Sequence, residues 1–269
     1  MSSPSDQYVG DVPEPTTFAQ VFAALGRSRD RLELVLSSLS PEQIREGSYC
    51  DEWSRAQVAS HLGSGAEIFG GFVEAGLRAG APLGTEQLRP VWERWNGKTP
   101  EEQVADCLTA DRRLLDLLGG IDDLHRSSWR LEMFGAERSL LDVVRMRLSE
   151  HALHSWDIVV SIDPGAGLED DATLVLVDWI GTMVQRAEPV EQMTLAVVTT
   201  APARHFVLEL SGGAARLRRD GDASLPYLEL PAEAFIRLVS GRLDPGHTPA
   251  SATAQGVDLD AVRRAFPGY

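Results

Sequence analysis

The chain has 269 residues, 43% of them hydrophobic and 24% charged, with a formal net charge of -15; that is enough for one large soluble domain or two of ordinary size. Such an acidic surface repels phosphate backbones and anionic lipid heads, which excludes nucleic acid and membrane surfaces as partners. Lys98 is the only lysine, so any Schiff-base chemistry would fall to it alone, and two cysteines, Cys50 and Cys107, without CxxC spacing indicate a reducing compartment.

The segment from Met1 to Thr17 is polar and proline-containing and lacks the layout of a signal peptide. No apolar run approaches the length of a membrane span, so a cytoplasmic location is expected. The Arg-rich, Ala-rich composition hints at a GC-rich genome. From Phe18, the apolar residues Val21, Phe22, Leu25, Leu32, Leu34 and Leu36 recur at helical spacing as far as Ser40-Pro41. A second helix is predicted after Trp53, with Ser54 as N-cap and Gln57 completing a capping box, running to about Ala79 before the Gly80-Ala81-Pro82 break. Residues 80–100 read as a long connection, a place for substrate-selecting differences or an ordinary variable loop. A third helix starts at Thr99-Pro100-Glu101-Glu102 and ends at Gly119-Gly120. A fourth covers Ser139 to Val160. Together they imply an antiparallel four-helix bundle.

The second half changes character. A helix from Asp170 to Arg186 is followed by β-rich runs at Met193–Thr199, His205–Leu210, Ala214–Arg219 and Tyr227–Leu230, with turn signals at Ser211-Gly212-Gly213 and Asp220-Gly221-Asp222. Pro231-Ala232-Glu233 opens a further helix that closes near Gly241, and Val257 to Phe266 reads as a last short one. This is an α+β domain with an antiparallel sheet. The expected fold class is therefore α plus α+β, with a helical bundle over residues 1–165 and an α+β domain over residues 166–269, the boundary falling near Asp163 to Asp170.

Three polar residues sit where the pattern calls for apolar ones. On the second helix His61 shares a face with Val58, Leu62, Gly65, Phe69 and Phe72, which points it into the bundle. On the fourth, Glu150 and His154 are four apart and project from one side. A buried carboxylate needs a partner, and two imidazoles with one carboxylate are the ligands of an open zinc site whose fourth position takes water or substrate. The same donors suit iron, nickel or manganese. The alternatives are a hydrogen-bonded core histidine and a simple Glu–His side-chain bond. His151 competes with His154 as a ligand through i, i+3 spacing. Asp157 is either a ligand or the acceptor of a histidine N–H. Arg147, one turn before Glu150, lies near the metal or pairs with Glu150. There is no HExxH, GxSxG, GxGxxG or GxxxxGK pattern, which removes zinc proteases, serine hydrolases and nucleotide binding.

The run Asp51-Glu52-Trp53-Ser54 leading through Val58 to His61-Leu62, and the run from Glu150 through His154 to Asp157-Ile158, resemble the two metal motifs of the mycothiol-dependent maleylpyruvate isomerase family. The resemblance implies a DinB-like bundle binding zinc, or another divalent metal, through His61, Glu150 and His154, and a second domain similar to sterol carrier proteins, whose helix ending in Gly-Arg matches Pro231 to Arg242. It further implies mycothiol, the low-molecular-weight thiol of actinobacteria, as cosubstrate. The metal would lower the thiol pKa. The thiolate would then add to an electrophilic small molecule, giving cis–trans isomerisation or S-conjugation. Arg242 is the candidate catalytic residue for holding a substrate carboxylate, against a plain role as a cation at a helix C-terminus. The competing functions are a non-catalytic lipid or small-molecule binding protein with a structural metal, a metal-dependent transferase using another thiol or none, and a metal-switched regulator. Monomer and homodimer are both compatible with the sequence.

Overall fold

Helix α1 (Phe18–Ser38) begins at a capping box in which Thr17 accepts from the Gln20 amide and Gln20 reaches back to the cap. The computed structural model describes residues 16–133, 135–184, 187–219 and 224–268. Most of the segment before Phe18, the expected helix end at Arg186 and the Asp220-Gly221-Asp222 turn lie outside the described residues. Helix α2 (Arg55–Leu77) starts at the expected Ser54–Gln57 capping box. The next two helices are α3 (Thr85–Asn96) and α4 (Pro100–Gly119), and α4 carries Pro100 at its first position behind the Thr99 cap. A short helix α5 (Asp123–Ser128) and a hairpin of β1 (Arg130–Met133) with β2 (Ala136–Ser139) lead into α6 (Leu140–Val159).

The four long helices α1, α2, α4 and α6 form the bundle: α2 lies against α4 and α6, and α1 against α6 and α4. Helix α3 occupies the connection expected to be irregular. Its Leu88, Val91 and Trp95 face inward at helical spacing, and Trp95 lies where a Cβ on Gly63 would fall 2.3 Å from its ring. Gly76 makes the same kind of room for Trp129, whose indole N–H donates to the Val73 carbonyl at 2.9 Å. An alanine Cβ at Gly76 would lie 2.2 Å from a ring only 2% exposed. The helix-propensity gain of Gly→Ala, about 1 kcal/mol, is smaller than the cost of forcing a buried indole aside. Gly76→Ala is therefore expected to destabilise the protein by about 1–2 kcal/mol within the usual overpacking range, read as a lower urea midpoint; an unchanged or raised midpoint would show that the indole is free to move.

Helix α7 (Asp170–Met183) touches α1 and α6 on one side and α8 (Ala232–Val239) on the other. It is followed by β3 (Met193–Thr200), β4 (Arg204–Ser211), β5 (Ala214–Arg219) and β6 (Tyr227–Pro231), and the chain then forms α8, β7 (Thr253–Gln255) and α9 (Leu259–Ala265). The sheet order is β5-β4-β3-β6-β7. It is mixed rather than antiparallel: β6 enters on the far side of β3 and runs parallel to it, Val197 opposite Leu228, while the other pairings are antiparallel. The reason is connectivity, since β6 does not continue the β3-β4-β5 meander but crosses back over it. One apolar core runs from Trp156 and Val160 of the bundle through Val175, Leu176 and Ile180 of α7 to Leu195, Leu208 and Phe235. The chain thus combines a helical N-terminal region with a sheet-containing C-terminal part.

Candidate metal centre

The Ser54 cap sets the phase of α2 so that His61, two turns in, faces α6. Glu150 and His154 sit one turn apart on α6 and face back. The His61 Nε2 atom lies 3.4 Å from the Glu150 Oε2 atom, and the His154 Nε2 atom lies 3.8 Å from the same oxygen. The two imidazole centroids are 4.4 Å apart. Tetrahedral donors about 2.0–2.1 Å from a shared ion stand roughly 3.4 Å from each other, so the three side chains need only small adjustments to enclose one. His61 faces α6 as expected, but its side chain is 34% exposed and that of Glu150 is 42% exposed. The site therefore opens at an edge of the bundle rather than lying sealed inside it. Trp53 forms a wall beside it, its ring 5.3 Å from that of His61 and 6.4 Å from that of His154.

His154 is the most constrained of the three. Its Nδ1 lies 2.8 Å from the Asp157 Oδ2 atom, one turn further along α6. Asp157 is fully buried and accepts from the Arg242 Nε and Nη2 groups, each at 2.8 Å. Asp157 thus stands as the acceptor of a histidine N–H, with its backbone carbonyl also taking the Tyr49 amide at 2.9 Å. Burial pushes the His154 imidazole below its ordinary value, and the charges of His61 and Arg242 push the same way against the Asp157 bond. A neutral ring donating from Nδ1 leaves the Nε2 lone pair facing His61 and Glu150. Burial alone would raise the Glu150 carboxyl, but the His61 bond and the charges of His154, His61 and Arg147 outweigh it and hold it at about 2. Two imidazole nitrogens and an ionised carboxylate are thus available as ligands, and this donor set fits a divalent metal such as zinc.

Among the described residues a second group, Cys50, His154 and Asp157, also converges. It fits a cation less well. Burial and the adjacent Asp157 charge push the Cys50 thiol up to about 12, and Asp157 is already neutralised by Arg242. The Cys50 Sγ donates to the Asp157 Oδ2 at 3.2 Å.

Two readings of the sequence require correction. His151 does not chelate with His154: one residue beyond Glu150 it is rotated by about 100° around the helix, and it is wholly buried between Ser28 (2.9 Å), Ser155 (3.2 Å) and Asp111 (3.3 Å). Arg147 does not pair with Glu150: its Nη2 donates to the Asp111 carboxylate at 2.6 Å and the Leu62 carbonyl at 2.8 Å. Arg242 does face the bundle, as expected, but its Nε–Nη2 edge is committed to Asp157 and Nη1 donates to the Ser240 carbonyl at 2.9 Å. Sequence reasoning missed Asp111. It occupies an apolar position of α4 in line with Cys107, Leu114 and Leu118, the signal that singled out His61.

The profile of the mycothiol maleylpyruvate isomerase N-terminal domain matches residues 25–159, a stretch that holds His61, Glu150 and His154. Two solved structures share the fold, the mycothiol-dependent maleylpyruvate isomerase and a histidine-to-alanine mutant of it. Each superposes with a TM-score of 0.64 at 12% sequence identity, covering 89% of this chain and 93% of that chain. No curated protein matches the sequence.

Proposed function

The chain belongs to the mycothiol maleylpyruvate isomerase family, and we propose that it is a metal-dependent enzyme that uses mycothiol to attack an electrophilic small molecule. The observation that carries this reading is the convergence of the His61 and His154 Nε2 atoms on one Glu150 oxygen at an open edge of the bundle. A divalent metal held by His61, Glu150 and His154 would supply Lewis acidity, lowering the pKa of a thiol so that thiolate is present near neutral pH.

The protein's own residues do the rest by positioning. Glu150 offsets half the charge of a dication, which leaves a net positive centre that favours an incoming thiolate over a neutral thiol. His154 is held with Nδ1 against Asp157 and Nε2 turned toward His61 and Glu150. Trp53 covers one flank and narrows the approach of water. Arg242 stands behind His154. A substrate carboxylate would have to engage the N–H groups that Asp157 and Ser240 do not use, two of the five that a guanidinium offers.

A thiolate added to one carbon of an activated double bond turns it into a single bond, with the electron pair passing to the conjugated carbonyl. Rotation and expulsion of the thiolate restore the double bond as the other isomer. Protonation of the adduct gives an S-conjugate instead. The two outcomes share a first step and differ in what is released. Among the described residues no helix is long and apolar enough to cross a membrane, and the use of a low-molecular-weight reducing thiol supports a cytoplasmic enzyme. The test is turnover of maleylpyruvate by zinc-loaded and zinc-stripped protein with mycothiol, with bacillithiol or glutathione in its place, and with no thiol, with products identified by NMR. Turnover that needs both zinc and mycothiol supports the reading. Turnover indifferent to thiol or to zinc removes it, and none with any of these thiols removes maleylpyruvate as the electrophile.

A further inference from the structure

Asp157 receives donors from three separate parts of the chain. His154 Nδ1 and Arg242 Nη2 both meet its Oδ2 at 2.8 Å, Arg242 Nε meets its Oδ1 at 2.8 Å, and Cys50 Sγ meets Oδ2 at 3.2 Å. Arg242 is delivered from the end of α8. Gly241, at φ +72, turns the chain there, and a Cβ on it would lie 2.2 Å from Gly268, so only glycine allows the turn. The Arg242 amide then donates back to the Arg237 carbonyl at 2.7 Å.

Arg242 Nη2 also lies 3.4 Å from His154 Nδ1. A guanidinium only donates, so the location of the His154 proton depends on what lies between them. With a carboxylate as shared acceptor, both nitrogens donate to it and the proton stays on Nδ1. With an acceptor missing or replaced by a donor, Nδ1 becomes the acceptor and the proton moves to Nε2, the nitrogen that faces His61 and Glu150.

We infer that Asp157 and Arg242 form a positioning clamp that holds His154 in its Nδ1–H tautomer, so that a residue of the sheet-containing half sets the ligand lone pair of the helical half. This rests on the metal reading above for its purpose, but not for its test. The arrangement follows a general pattern in which a buried carboxylate selects the tautomer of a working histidine. In Asp157→Leu no acceptor is left and the space stays filled, so the Arg242 Nη2 donor, 3.4 Å away, is the polar group left facing His154 Nδ1.

The test is long-range 15N–1H NMR of the imidazole nitrogens in metal-free protein above neutral pH, with zinc affinity measured by chelator competition. The wild type is expected to show His154 protonated at Nδ1. Asp157→Leu is expected to show it protonated at Nε2 and to bind zinc about 10–100-fold more weakly. Tyr49→Phe cuts a different link between the halves, the Tyr49 hydroxyl to Asp244 at 2.9 Å, and is expected to change neither readout. An Nε2–H tautomer in the wild type overturns the clamp even if every variant fails to fold. So does a folded Asp157→Leu with an unchanged tautomer. A wild type with the Nδ1–H tautomer that binds no zinc removes the metal reading and leaves the clamp standing.

Discussion

Replacing Glu150 by glutamine is expected to leave the protein folded, to weaken zinc binding by more than about 100-fold and to abolish thiol-dependent turnover. The floor comes from comparison with outer partners of metal ligands, whose loss costs about 10–100-fold; a directly coordinating carboxylate should cost more. The Glu150 Oε2 atom is the carboxylate oxygen lying within 4 Å of both the His61 and His154 Nε2 atoms. Glutamine keeps its shape and removes its charge, so the two imidazoles would face a neutral amide and a dication would keep its full charge. The side chain is 42% exposed, so the amide is solvated and adds no buried unsatisfied group to the folding free energy. Chelator competition and steady-state turnover read the effect, with circular dichroism as the control for folding. Glu150→Gln with wild-type zinc affinity would remove Glu150 from the ligand set.

Replacing Asp111 by alanine is expected to do the reverse, costing about 3–5 kcal/mol of stability, the range for breaking a buried ion pair by removing one partner. Asp111 is 3% exposed and Arg147 2% exposed. They meet at 2.6 Å, and His151 Nε2 approaches the other Asp111 oxygen at 3.3 Å. Without Asp111 a guanidinium is left in the core with the Leu62 carbonyl as its remaining hydrogen-bond partner. Burial alone would raise the Asp111 carboxyl, but the charges of Arg147 and His151 and their hydrogen bonds outweigh it and bring it to about 2, below the ordinary 3.8. A carboxylate depressed in the folded state stabilises fully above its unfolded pKa and ceases to do so as pH falls through the folded one. The wild type should therefore lose this contribution between about pH 4 and pH 2, a loss that Asp111→Ala has nothing left to show. Urea unfolding at neutral and at descending pH measures both. A loss below about 1 kcal/mol at neutral pH would put the pair in the class of exposed salt bridges.

These two changes address two faces of α6, Glu150 at its open edge and Asp111 of α4 against its buried side. Glu150, His154 and Asp157 serve the open edge of α6, while Arg147 and His151 hold its buried side to α4 and α1. The sequence pattern shows that α6 is apolar nearly all round, and it marks His61, Glu150 and His154 as polar intrusions. It does not show which intrusion faces which neighbour. A single residue step from Glu150 to His151 changes the face, and the partners that settle it, Ser28 and Asp111, lie on other helices.

The local signals held where they were local. The Ser54–Gln57 box starts α2, Thr99-Pro100 starts α4, and Gly241 ends α8 in the left-handed region. Helix α3 is masked by the Gly80-Ala81-Pro82 break before it and by Pro90 inside it, although Leu88, Val91 and Trp95 keep helical spacing; Trp95, packed against Gly63, supplies the tertiary contact that overrides the Pro90 penalty. The parallel pairing of β3 with β6 and the Arg242–Asp157 pair, 85 residues apart, are long-range facts. No periodicity within either segment encodes them.

The central claim is that His61, Glu150 and His154 hold one divalent metal, and the most direct test is titration of metal-stripped wild-type protein with zinc, followed by desalting and elemental analysis. The account predicts about one zinc per chain, the stoichiometry of a single mononuclear site, and its loss in a folded His61→Ala variant. A folded wild type that retains no zinc, or a His61→Ala variant that retains as much as the wild type, would contradict it.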